Sequence, residues 1–289
     1  MVIIDAWMQH PSAELLADPM FDSLRRWAPG QLGGDEVPLE TTVAAMDAAG
    51  VQIGMLCAWR GPRGPLIPND AVAAAVSRYP GRFAGVAAVD LARPMDAVRE
   101  LRRCVRDLGF RALRVVPWLW NLPPSDRRYY PLYAECVELG IPFCLQAGHT
   151  GPLCPLRAGP ADPLPGHRRA GVPRAGHRER SYRLPVDRGD DLAGHQVPQR
   201  LHRHLRLQGQ PLSPRPPVDY LRGHGRHKVL FGSDHPAWPA ADCLAGLAGL
   251  QLDDQTTDLF LHGNAERVFG LTGARPGVNQ LSTRLRNRA

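Results

Sequence analysis

The first 146 residues alternate short apolar runs with helix-like stretches that stop at glycine, and this alternation limits the fold more than any single motif does. "VIIDAW" reads as a buried strand, "LETTVAAMDAA" as a helix stopped by Gly50, and "VQIGMLCAW" as the next strand. The unit then repeats. Asn69 is placed to cap "DAVAAAVSRY", "RFAGVAAVD" follows as a strand, and "PMDAVRELRRCVRDL" opens with Pro94 and ends at Gly109. "RALRVVPW" and "IPFCLQAGH" are further strands, separated by "YPLYAECVEL" and Gly140. Near the end, a short helix "VDYLRGHG" precedes a strand "KVLFGSD" and closing helices around "TTDLFLHGNAERVFGL".

Strands alternating with helices of about 10 to 15 residues imply right-handed βαβ units and a parallel sheet. The pattern predicts strands near residues 2–7, 51–57, 83–89, 111–116, 141–146 and 228–233, with room for two between the fifth and the last. Eight strands favour a (β/α)8 TIM barrel over an open doubly wound sheet, and neither GxGxxG nor GxxxxGK[ST] supports a nucleotide site. Residues 1–271 are expected to form one barrel domain and 272–289 a flexible tail. No secretory leader or membrane-length apolar run is visible, so a cytoplasmic protein is expected. The six cysteines lack CxxC spacing, which suits reduced, buried thiols.

Residues 155–217 break the pattern. They hold 12 of the 34 arginines, only 5 acidic residues and 11 of the 29 prolines, with no Ile, Phe, Met or Trp. The whole net charge of +7 therefore resides there. Arginine without interleaved aromatics is a weak nucleic-acid signal, so no nucleic-acid or membrane partner is expected. Such a composition sustains neither helix nor strand ladder, and the barrel is expected to be incomplete or disordered here. Translation in a shifted frame accounts for it. With suitable codons and one base dropped, "RSYRLPVDRGDD" reads GHIGYPWTEEMI and "RLHRHLRLQ" reads VYIDTSAYK, two strand-like strings. On that reading His202 and His204 are by-products of the frame and carry no role. An inward-facing strand at 200–207 would reinstate them as ligands.

The flanking motifs "IIDAWMQH", "IPFCLQAGHTG", "KVLFGSDHP" and "LHGNAERVFGL" resemble the amidohydrolase-related family, the metal-dependent hydrolase and decarboxylase barrels related to aminocarboxymuconate semialdehyde decarboxylase. The likeness covers residues 1 to about 154 and 217 to 271. It implies a hydrolase acting on a small organic substrate, with decarboxylation or a catalytically inactive barrel as alternatives. It also implies a divalent metal, zinc being the ion expected, and leaves a homo-oligomer open. The family's site uses His-x-His on strand one, one His each on strands five and six, and an Asp on strand eight. His149 matches the strand-five ligand and Asp234 the strand-eight Asp, which serves as ligand and as catalytic acid-base group. Counted from Asp5, the strand-one pair falls on Trp7 and Gln9, neither a usual ligand. His10 should point to the other face.

In a barrel, chemistry lies at the C-terminal strand ends, which here carry Asp5 with Trp7, Trp59, Asp90, Arg114 with Trp118, His149 and Asp234. Arg114 is a candidate for a substrate carboxylate, against the plain reading of a pair with Asp90. Trp7 and Trp118 are candidate pocket walls, with Trp59 and Trp120 beside them, against the plain reading of aromatic core under loops.

Overall fold

The computed structural model describes residues 1–22, 25, 37–146 and 216–271. Five strands form one parallel sheet. In spatial order they are β1 (Ile4–Met8), β2 (Ile53–Cys57), β5 (Phe83–Ala87), β6 (Ala112–Val115) and β7 (Phe143–Leu145), with an antiparallel hairpin of β3 (Trp59–Gly61) and β4 (Gly64–Ile67) set apart. The hairpin was not legible in sequence because it follows β2 almost without a break. Helices α1 (Ala13–Ala17), α2 (Leu39–Ala48), α3 (Asn69–Arg78), α4 (Pro94–Arg106), α5 (Pro117–Trp120) and α6 (Tyr130–Leu139) fill the connections. After them come α7 (Pro216–Arg222), α8 (Ala240–Ala245), α9 (Asp254–Asp258) and α10 (Asn264–Phe269). Among the described residues no helix is long and apolar enough to cross a membrane.

Spatial order follows chain order without the reversal that marks a doubly wound sheet. Residues 229–235 lie on the free side of β1. The Ala6 amide donates to Phe231 O at 2.9 Å, the Asp234 amide to Trp7 O at 2.8 Å, and the Gln9 amide to His235 O at 3.0 Å. The end of the chain thus returns to its first strand, as barrel closure requires. Predicted as a strand, 228–233 forms no regular ladder, because the Phe231 amide goes to Phe260 O at 3.0 Å and the Ser233 amide to the Asp5 carboxylate at 3.0 Å instead of to β1 carbonyls.

A bulge in β1 sets which side chains face inward. Asp5 pairs with Gly54 but Met8 with Leu56, so three steps on β1 match two on β2. Ala6 and Trp7 consequently both join the inner cluster with Ile4, Met55 and Cys57, while Met8 joins the outer layer. Asp5 supports the bulge by accepting the Trp7 amide at 3.1 Å.

Outside the sheet, Arg102 on α4 grips Glu135 on α6 with two bonds of 2.8 and 2.7 Å. Asn69 does not cap its helix. Pro68 occupies that position, and the Asn69 amide instead exchanges bonds with Ala88 N and O, clamping the end of β5. The five described cysteines, Cys57, Cys104, Cys136, Cys144 and Cys243, are buried. Residues 155–215 and 272–289 lie outside the described residues, and with them the proposed frame shift, the pair His202 and His204, and the tail.

Packing leaves no slack at Gly85 on β5. A Cβ there would lie 2.4 Å from the ring of Phe110, which is itself buried. Gly85→Ala is expected to lower stability by about 1–3 kcal/mol in urea denaturation, through overpacking. Phe110→Leu in the same chain should recover part of that loss; if the two losses simply add, the contact is not the cause.

Two buried titratable groups hold the closing segment. Burial pushes the Asp5 carboxyl up to about 6, against three hydrogen bonds from Ser233 and Trp7 that pull it down. Burial, helped by His10, pushes the His235 imidazole down to about 4. The two act oppositely on stability. Asp5 binds more proton folded than unfolded, so its contribution is full below about pH 4 and is lost as pH rises through about 6. His235 binds less, so its contribution is present above about 6.5 and is lost as pH falls towards about 4. Each amounts to about 3 kcal/mol, and together they nearly cancel. Asp5→Asn should therefore make stability rise between pH 4 and 6.5 relative to the unmodified chain, and His235→Gln should make it fall. Urea midpoints at three pH values check this, and parallel profiles for all three proteins would remove the pair from the account.

Candidate functional site

Several strand ends converge on the side chain of Arg114. The residue lies on β6, is 1% exposed, and is surrounded by groups from three other strand ends. Its guanidinium carbon sits 3.9 Å from the centroid of the Trp7 ring and 4.3 Å from that of Trp59. Cation–π attraction of this kind is worth about 0.5 to 2 kcal/mol per ring, the upper value applying where water is excluded. Nη1 donates to Gln9 Oε1 at 3.1 Å, and Nη2 to Gln146 Oε1, just beyond β7, at the longer distance of 3.4 Å. Asp90 is engaged elsewhere, pairing with Arg60 at 3.2 Å, so the plain reading of an Arg114–Asp90 pair is set aside.

Gln9 is the hub. Its Oε1 accepts from Arg114 and also from the Trp59 indole N–H at 3.1 Å. Both partners only donate, which fixes the amide orientation. The amide nitrogen then faces the closing segment, donating to Asp234 Oδ1 at 3.3 Å and to the His235 carbonyl. A neutral amide therefore links a buried cation to a carboxylate. Asp234 adopts the left-handed conformation, φ 64°, which Asp tolerates better than most residues. That turn lies directly after Ser233, which is held by Asp5.

On the other side, His10 Nδ1 lies 2.8 Å from Thr42 Oγ1 on α2, which is 3.4 Å from His235 Nε2. His10 thus turns away from Gln9 and towards the helix layer, as strand alternation suggested.

Of the candidate residues, Trp7 and Arg114 come together directly and Asp234 joins them through Gln9. Trp118 reaches the group only through Trp59, edge to face at 6.2 Å, and its buried indole N–H has no hydrogen-bond partner among the described residues. Trp120 is buried. His149 lies outside the described residues. Gln9 was legible only as a missing ligand. Its spacing two residues after Trp7 was the signal that it shares the inward face. Nothing in the sequence marked Gln146 or Ser233.

Comparison with known proteins gives this geometry a context. A family profile described as Amidohydrolase matches residues 42–207. The match runs through most of the Arg- and Pro-rich stretch, and nothing in the comparisons supports the shifted-frame reading of it. A gamma-resorcylate decarboxylase of Rhizobium radiobacter is 32% identical over 128 residues, covering 37% of this chain and 38% of that protein. The matched stretch is thus well under half of that curated relative's length. An uncharacterized TIM-barrel protein of Bordetella bronchiseptica superposes over 93% of this chain and 99% of its own, with a TM-score of 0.69 and 21% identity. A dihydroxybenzoic acid decarboxylase of Polaromonas, with bound manganese and the inhibitor 2-nitroresorcinol, superposes over 93% and 97%, with a TM-score of 0.60 and 20% identity. These likenesses give the fold, the (β/α)8 barrel that the strand order implies. The profile match extends over more than half of the sequence, and the chain belongs to the amidohydrolase family.

Proposed function

We propose that this protein is a decarboxylase of small aromatic carboxylic acids. The observation that carries the reading is the Arg114 guanidinium held between the rings of Trp7 and Trp59 at the C-terminal strand ends. A guanidinium pairs with a carboxylate through two N–H groups, in a setting that is here aromatic. Decarboxylation breaks the bond between ring and carboxyl carbon, releases CO2 and returns one proton to the ring carbon. In this proposal Arg114 takes the carboxylate, Trp7 and Trp118 contribute to the aromatic surroundings, and Asp234 exchanges the proton as general acid-base group.

The relatives support decarboxylation over the hydrolysis first expected from the family resemblance. They include gamma-resorcylate decarboxylases and a 2-amino-3-carboxymuconate-6-semialdehyde decarboxylase of Dictyostelium discoideum, together with a hydratase of Sphingobium. The metal of the Polaromonas neighbour is manganese, so a divalent ion is supported for such barrels, but not zinc in particular. The described residues of this chain do not fit such an ion. Trp7 and Gln9 occupy the strand-one positions, Arg114 is hydrogen-bonded to one and stacked on the other, and no cluster of three His, Cys, Asp or Glu occurs among the described residues. The steps proposed here accordingly run through side chains.

That same replacement favours a second reading, a barrel that binds aromatic acids without turning them over. CO2 release from 2,6-dihydroxybenzoate and other hydroxybenzoates, measured with the whole chain, separates the two. The expected result is turnover that Asp234→Asn slows by roughly 10²- to 10⁴-fold, the usual span for a proton-transferring group. Saturable binding without CO2 release selects the non-catalytic barrel, and absence of both binding and release removes either reading.

A further inference from the structure

We infer that the Arg114 guanidinium stands in for the strand-one half of a metal centre, making the barrel mouth a permanently charged carboxylate site that needs no divalent ion. Three observations on independent strands meet here. First, at the two β1 positions where the family places ligands, Trp7 presents its ring face to the guanidinium at 3.9 Å and Gln9 gives it a carbonyl oxygen at 3.1 Å. Both are good partners for a delocalised cation, and an indole ring face offers a divalent ion no lone pair. Second, Asp234, the family's strand-eight ligand, has its Oδ1 on the Gln9 amide nitrogen. The contact that an ion would make between strand eight and strand one is thus made by an amide. Third, the cation is built in. Arg114 is 1% exposed, and the Trp59 ring centroid lies 4.3 Å from its guanidinium carbon while the indole N–H donates to Gln9.

A dication placed between Gln9 and Asp234 would face this fixed positive charge at short range, with little water to screen it. A carboxylate would meet the opposite situation. The long 3.4 Å contact from Nη2 to Gln146 is the bond it would replace, leaving the stack and the Gln9 contact intact. The ligand class is therefore a monoanionic aryl carboxylate. Arg serves here where Lys would not, because a guanidinium directs separate N–H groups to Gln9 and to a carboxylate while its carbon lies over two indole rings.

This inference deepens the decarboxylase reading by naming the charge that receives the substrate, and its test does not depend on turnover. The probe is benzoate, titrated into the full chain by calorimetry and by tryptophan fluorescence. One sample is chelator-treated, with residual metal measured elementally, and another is supplied with Mn²⁺. The expected result is the same Kd within twofold in both samples, less than a tenth of an equivalent of retained manganese, and at least tenfold weaker binding for Arg114→Met. Arg114→Lys covers the case in which the Met variant fails to fold. It keeps the charge and loses the planar stack, and should bind at least threefold more weakly while its thermal transition remains cooperative. Binding that appears only with stoichiometric Mn²⁺ overturns the inference, as does unchanged binding in the Lys variant or no benzoate binding at all. Metal-independent benzoate binding without CO2 release from any hydroxybenzoate leaves this inference standing and removes the decarboxylase reading alone.

Discussion

The join between the first strand and the closing segment, three backbone bonds braced by one carboxylate, is the contact on which the rest of the site depends. Asp5 accepts the amides of Trp7 and Ser233 and the Ser233 hydroxyl, linking residues 228 positions apart. It supports the bulge that turns Trp7 and Gln9 inward, and it fixes the turn from which Asp234 and His235 reach Gln9. Burial outweighs those three bonds, so the carboxyl titrates near 6. The join is compatible with either protonation state. A protonated Asp5 can donate to Ser233 Oγ, whose second lone pair already takes the His235 amide.

Gln9 carries the consequence of that join across the barrel mouth. A buried guanidinium is costly to desolvate unless its donors and its charge are both accommodated. Here the donors meet amide oxygens of Gln9 and Gln146, and two indole faces lie against the charge. These four partners are neutral, and Gln9 leads on from the guanidinium to Asp234. Aromatic rings, a buried cation and a carboxyl one amide away thus meet at a single end of the sheet.

Much of the fold was legible because each βα unit carries its own punctuation. The strands β2, β5, β6 and β7 fall within the runs predicted for them, β1 runs one residue past its own to Met8, and Gly50 and Gly140 sit where left-handed backbone ends a helix. What sequence could not give depends on non-local bonds. The β1 bulge exists because Asp5 finds Ser233, and Asn69 leaves its expected cap because Ala88 offers both an amide and a carbonyl. The closing segment, apolar enough to read as a strand, loses its regular ladder to the same carboxylate and to the Phe260 carbonyl. At the site, strand-end position alone brought Trp7, Arg114 and Asp234 into consideration. Gln9 was passed over because it was weighed only as an absent histidine, and a glutamine's value is its ability to accept at one end and donate at the other.

Arginine identity by itself says little in this chain, which has 34 arginines and one lysine. Many of the described arginines sit in exposed ion pairs such as Arg99–Asp96 and Arg78–Glu40, where either cation would serve and solvent screens the attraction. Arg114 differs in its surroundings. A lysine ammonium between two indoles would keep the charge but not cover both ring faces, and it could not direct separate N–H groups to Gln9 and Gln146 while remaining stacked. The constraint therefore runs from the surroundings to the residue. Once the first strand end presents Trp7 and Gln9 where an ion's ligands would stand, and Trp59 adds a second ring, the space left is lined by indole rings and amide oxygens. Those are the surroundings of a guanidinium rather than a coordination sphere.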